Sequence, residues 1–187
     1  MKQKNITAKQ IAKWFVDRAS KSTAFGGELL TQLKLQKLMY YAKGFYYVFE
    51  NQPLFKEKIK SQKLGPVVPA LVPTIKPYGY DTIKSCFENE PDIKDEKILK
   101  FLEFVFDKVG QFQAGKLIDL THAETPWQNT KIGKEITPEA ISNFFKENYI
   151  HNFNHNNPFG ITEEDINNLT FAQILKENEE AFLELAK

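Results

Sequence analysis

A chain of 187 residues with 42% hydrophobic content and 16 phenylalanines can bury one core, which excludes intrinsic disorder. The single cysteine, Cys86, excludes an internal disulfide. No apolar run approaches the roughly 20 residues of a spanning helix and no signal-peptide pattern opens the chain, so a cytoplasmic protein is expected. The net charge of +1 hides a split: residues 1–63 carry 13 Lys/Arg against Asp17, Glu28, Glu50 and Glu57, and residues 64–187 carry 12 basic and 20 acidic residues. Such asymmetry can mark a nucleic-acid face. Arg18 is the only arginine, however, and bidentate recognition of phosphate and guanine favours Arg, so a lysine-rich surface is preferred to a nucleic-acid site.

In chain order, the first helix is announced by Ile6-Thr7-Ala8-Lys9-Gln10-Ile11, a capping box with a hydrophobic staple. It is expected from Ala8 to Lys21, with Ile11, Phe15 and Ala19 on one face. Leu30-Thr31…Leu35 is a weaker start for a second helix from Gln32 to Glu50. There Leu35, Leu38, Met39, Ala42, Phe45, Tyr46 and Phe49 keep the helical period, predicting the central core helix. Pro53, Pro66, Pro69, Pro73 and Pro77 then preclude a long helix. Leu54 to Leu64 has room for one or two short strands or a hairpin, Gly65-Pro66 reads as a turn, and Pro69 is placed to open a short helix through Ile75. Tyr78 to Asp81 reads as another turn. Further helices are expected over Lys94–Lys108, ended by Gly110, and over Ala114–Leu120. Ile136-Thr137-Pro138 opens one through Asn148, with Pro at the first helical position. Ile150 to Gly160 is Asn-rich and loop-like, and residues 163–168 and 171–186 read as helices. The fold class is therefore mainly α: a single compact helical domain whose proline-rich segment has room for a short β-hairpin.

Residues that could carry chemistry are few. His151 and His155 stand i, i+4, but the asparagines and Pro158 around them argue for a loop, no Glu completes HExxH, and Cys86 and His122 do not complete a zinc set. There is no G-x-S-x-G elbow and no GxxxxGK[ST] loop, and Gly26-Gly27 is too short to cradle phosphate. No catalytic residue, cofactor or metal is expected. Lys37-Leu38-Met39-Tyr40-Tyr41-Ala42-Lys43 interleaves cations and aromatics as single-strand binders do. A core helix with lysines on its solvated face and tyrosines at the boundary explains the same pattern.

Two stretches do more than build helices. One is Leu35-Gln36-Lys37-Leu38-Met39-Tyr40-Tyr41-Ala42-Lys43-Gly44, followed by Pro53-Leu54-Phe55 and Leu64-Gly65-Pro66-Val67-Val68-Pro69. The other is Leu120-Thr121-His122-Ala123-Glu124-Thr125-Pro126-Trp127, which precedes Ile136 to Phe145. In this order and spacing, over about residues 8–148, they resemble the Panacea, or SocA-like antitoxin, domain family. Leu64 stands where that family often has an aromatic, and Gln62 or Lys63 where it has Trp. The motif residues Leu35, Gln36, Lys37, Tyr40, Tyr41, Gly65, Pro66, Val67, Thr121, His122, Pro126 and Trp127 are expected to be structural, with Trp127 plugging the core and His122 bonding backbone at a helix end.

The resemblance implies a bacterial type II antitoxin that neutralises, by direct contact, a protein toxin encoded by an adjacent gene. Members occur beside varied toxins and in prophages, and the founding example delivers its toxin to a protease. A DNA-binding or phage-associated regulator, or a proteolytic adaptor, stays open as an alternative, as does a homodimer. The division expected is a family domain over 1–150 and a helical extension over 151–187. In that extension Phe171, Ile174, Leu175, Glu179, Phe182 and Leu183 form an acidic amphipathic segment suited either to the toxin or to closing the domain's own core.

Overall fold

The computed structural model describes residues 6–21, 30–151 and 157–169. The first two helices, α1 (Ala8–Lys21) and α2 (Gln32–Glu50), occupy the spans their caps predict. The Thr7 N–H donates to Gln10 Oε1 at 3.1 Å and the Gln10 N–H donates to Thr7 Oγ1 at 3.2 Å, completing the capping box. Thr31 Oγ1 accepts from the Lys34 N–H, and Asn51 closes α2 in the left-handed region at φ 54°. Every α2 residue from Lys34 to Tyr47 is buried. A helix surrounded on all sides is a core element, and α1, α4 (Glu96–Val109), α5 (Ala114–Ala123) and α7 (Pro138–Lys146) all pack on this one.

The proline-rich segment does hold the hairpin, β1 (Ile59–Gln62) and β2 (Gly65–Val67), paired antiparallel with Gln62 opposite Gly65. The turn is Lys63-Leu64. Gly65-Pro66, expected as the turn, instead opens the returning strand. Gly65 takes φ 95°, a conformation that side chains disfavour, and a Cβ there would lie 2.7 Å from Lys37 Nζ. A third strand, β3 (Glu135–Ile136), pairs with β1 and gives the order β2-β1-β3. The sequence hides β3 because Ile136 also reads as a staple residue. It does both jobs, lying buried opposite Ile59 while Thr137 Oγ1 caps α7 by accepting from the Ala140 N–H at 3.2 Å.

Pro69 starts a 3-10 turn, Pro69–Leu71, that runs into α3 (Val72–Ile75), followed by a second such turn at Lys76–Tyr78. The α4 helix begins at Glu96 because the Asp95 carboxylate accepts from the Lys97 and Ile98 N–H groups. The α5 helix extends three residues past Leu120, and a short α6 (Thr125–Gln128) follows at once. After α7 the chain winds into a π-helical turn, Glu147–His151. Residues 163–169 are helical, with Thr162 and Asp165 as a reciprocal cap.

The core is aromatic. The ring of Phe45 lies 5.2 Å from Phe145, 4.9 Å from Tyr149 and 5.9 Å from Phe159, each in edge-to-face geometry. Phe159 and Ile161 are buried in this same core, and Lys108 pairs with Asp165 at 2.7 Å, so the described residues beyond 150 pack with those before it. Among the described residues no helix is long and apolar enough to cross a membrane.

Candidate functional site

Leu35, Gln36, Lys37, Tyr40 and Tyr41 are buried on successive turns of α2 and face two distant parts of the chain. The Gln36 carboxamide behaves like a neighbouring strand: Oε1 accepts from the Val68 N–H at 2.7 Å and Nε2 donates to the Val68 carbonyl at 3.4 Å. One turn on, Lys37 Nζ donates to the Pro66 carbonyl at 3.1 Å. The hydroxyls of Tyr40 and Tyr41 donate to the two carboxylate oxygens of Glu124 at 2.7 and 2.8 Å. Glu124 is the single residue between α5 and α6. Its carbonyl accepts from the Trp127 and Gln128 N–H groups and starts α6, while its side chain is buried. Thr121, also buried, donates its hydroxyl to the Ile118 carbonyl at 2.9 Å and would lie 2.7 Å from a Cβ at Gly65. The helix, hairpin and α5–α6 motifs thus meet at Lys37, Gly65, Thr121 and Glu124.

Burial dominates the electrostatics. It raises the Glu124 carboxyl to about 7, against the pull of both tyrosine hydroxyls and the Lys37 charge. It lowers the Lys37 ammonium to about 7, against the Glu124 charge. Burial, and then the Glu124 charge, hold Tyr40 and Tyr41 well above the usual phenol value, so both stay donors. Lys43 is lowered to about 8 by burial, donates to the Glu57 carbonyl at 2.7 Å and sits 4.6 Å over the Phe55 ring. The expectation of solvated lysines and boundary tyrosines on α2 is therefore overturned: Lys34, Lys37, Lys43, Tyr40 and Tyr41 are all buried. Three of the 13 basic residues of the first third are thereby withdrawn from any surface, which weakens the nucleic-acid reading.

The outer side of the motif cluster differs. Pro126 is buried within α6 and Val67 is half-buried on β2. Trp127, expected as a core plug, is half-buried at the edge of the core. Its indole N–H donates to the Gln62 carbonyl at 2.9 Å, tying α6 to the hairpin. The His122 ring stacks on Trp127 at 3.9 Å and 15°. Its backbone carbonyl accepts from Gln128 Nε2, but its own Nε2 is buried with no partner among the described residues, so the expected ring-to-backbone bond is not formed.

Other candidates fall away from the cluster. Cys86 is buried, and burial pushes its thiol up to about 12, unlike an activated nucleophile. His151 ends the π-helical turn, and His155 lies outside the described residues. Phe171, Ile174, Leu175, Glu179, Phe182 and Leu183 also lie outside them. Glu124 is the residue that sequence reasoning passed over. It stands in the quoted motif, but nothing local marks it, since its partners are 83 and 84 positions away.

Buried Tyr–Glu124 bonds and the Lys37–Pro66 bond stitch a central helix to a helical corner and a hairpin, which defines a mainly helical domain whose motif residues are largely internal. The family described as antitoxin SocA-like, Panacea domain, matches residues 35–128, half of the chain, and the chain belongs to this family. The match opens at Leu35 and closes one residue after Trp127, so it brackets the network. Antitoxin SocA of Caulobacter vibrioides (strain NA1000 / CB15N) is 24% identical over 161 residues, covering 76% of this chain and 84% of that protein. No solved structure matches the chain.

Proposed function

We propose that this protein is the antitoxin of a type II toxin–antitoxin pair, that it neutralises a toxin encoded by the adjacent gene through direct protein contact in the cytoplasm, and that it acts by binding, not by catalysis. Family membership over residues 35–128 carries the reading. The internal placement of the motif residues supports it: the buried Tyr40–Glu124–Tyr41 bonds and the Lys37–Pro66 bond hold a scaffold together, and a shared scaffold leaves the surface free to vary with the partner. The acidic segment from Phe171 to Lys187 is proposed as one toxin contact.

The test is growth. The adjacent reading frame, expressed alone, is expected to arrest cells, and co-expression of this protein to restore them while the two proteins co-purify. A harmless neighbour, or a lethal one left unrescued, counts against the reading. Toxin half-life separates blocking from delivery to a protease: it is unchanged in the first case and shortened in the second.

A further inference from the structure

Three large apolar side chains are markedly exposed among the described residues, and two of them, Leu64 at 54% and Ile132 at 51%, stand at one end of the sheet. Leu64 is at the β1–β2 tip. Ile132 is in the turn before β3, a turn joined to β1 where the Gly133 N–H donates to the Ser61 carbonyl at 2.7 Å and the Ser61 N–H to the Lys134 carbonyl at 2.9 Å. Trp127, half-buried and bonded to Gln62, adjoins the same tip, with His122 stacked on it. Two buried side-chain atoms without partners among the described residues, Ser61 Oγ and His122 Nε2, belong to the same segments, with Ser61 on the core side of β1.

The charge around this apolar centre is mostly positive. Residues 58–64 and 129–136 carry Lys58, Lys60, Lys63, Lys131 and Lys134 against Glu135 alone, and Lys58 pairs with Glu135 at 2.7 Å. In register, Lys60 stands opposite Val67 on one side and Glu135 on the other, while Ile59 and Ile136 are buried, so Lys60, Val67 and Glu135 share the outer face.

Resting on the antitoxin reading, we infer that this end of the sheet is the surface that docks the toxin, and that the toxin meets it with an acidic face around an apolar centre. An exposed apolar centre that a partner can bury, inside a polar rim, is the anatomy of a protein interface. Nucleic acid fits less well, because the cations are all lysines on flexible stems. Arg18 lies elsewhere, held by Glu103 at 2.8 Å and over the Phe106 ring.

Two variants of the full chain test this against the protein encoded by the adjacent reading frame: Leu64→Asp with Ile132→Asp, and Lys63→Glu with Lys131→Glu. All four positions are exposed, so both variants are expected to melt as the wild type does. Each is expected to lose affinity by about ten-fold or more and to lose rescue, and wild-type binding is expected to weaken as salt rises. Lys63→Arg with Lys131→Arg is expected to keep both. Folded variants that bind and rescue like the wild type overturn the inference and leave the antitoxin reading standing. Variants that rescue fully but lose self-association, or retention on duplex DNA, assign the surface to a second copy or to nucleic acid and overturn it too. A wild type that fails to rescue removes the reading and this inference together.

Discussion

Gly65 shows how one residue can hold three segments at their closest approach. Its φ of 95° already disfavours a side chain, and an added Cβ would lie 2.7 Å from both Lys37 Nζ and Thr121 Oγ1. The lysine terminus can swing aside, but Thr121 is fixed by its bond to Ile118. Gly65→Ala is therefore expected to cost about 1–3 kcal/mol, read as a lower urea midpoint at unchanged slope. The buried charges of Lys37 and Glu124 make a second residue-level prediction, with a definite sign. Between about pH 4.5 and 7 the folded protein keeps a proton on Glu124 that the unfolded chain releases, so this group's contribution falls as pH rises. Between about 7 and 10.5 the folded protein has lost the Lys37 proton that the unfolded chain retains, so stability rises with pH. Subtracting the stability of a Lys37→Met, Glu124→Gln double variant from that of the wild type should leave a curve with its minimum near pH 7. A maximum there would mean that the attraction between the two charges outweighs their burial. Neither effect is legible from sequence, where Lys37 looks like any helix-surface lysine, because burial on all sides of α2 is a property of the assembled neighbours.

At the scale of elements, what was legible follows from what is local. Thr7, Thr31, Thr137 and Thr162 each accept a backbone N–H three residues ahead, and each helix starts where its threonine says. The hairpin announced itself through proline spacing, whereas β3, two residues long, had no local pattern to offer. The buried network was legible only as an ordered set of motifs, since its bonds cross 29 to 84 positions. Packing between α2 and α7 gives the prediction proper to this scale. The Phe145 ring rests on Gly44, and a Cβ at that position would overlap it. In an open helix Gly→Ala would gain about 1 kcal/mol. Here Gly44→Ala is expected to destabilise by about 1–3 kcal/mol, because the ring is enclosed by Tyr40, Phe45 and Tyr149 and cannot retreat. Phe145→Leu shortens the obstructing side chain, so the double variant should be more stable than the two single losses summed. Additive losses in a double-mutant cycle would show that the two helices do not meet in this way.

The whole molecule is where function and folding can be separated. The family resemblance stops near residue 148, which sets the expected extension at 151–187, and the asparagine-rich stretch from Ile150 to Gly160 reads as a loop. Phe159 and Ile161 nevertheless sit in the core, with the Phe159 ring 4.8 Å from Tyr41 and 5.4 Å from Phe112. Isolated apolar residues in a polar loop look incidental until the fold brings them to Tyr41. Among the described residues, the buried core runs from Ala8 to Ile161. A chain ending at residue 156 removes Phe159 and Ile161 and leaves their partners facing water. Deleting one buried Phe costs about 3–5 kcal/mol, against the 5–15 kcal/mol that holds a typical domain. That chain is expected to unfold at a much lower temperature or to be recovered only as aggregate. A chain ending at residue 169 keeps all of these contacts and the Lys108–Asp165 pair, so it is expected to melt in one cooperative transition close to that of the full protein. Its ability to rescue cells from the adjacent gene's product then isolates the acidic segment. Folding with loss of rescue makes residues 171–187 part of the toxin contact. Folding with full rescue removes them from it and leaves the lysine-rimmed end of the sheet to carry the interaction. If the 169-residue chain does not fold at all, the described core is not self-sufficient and the last eighteen residues belong to it.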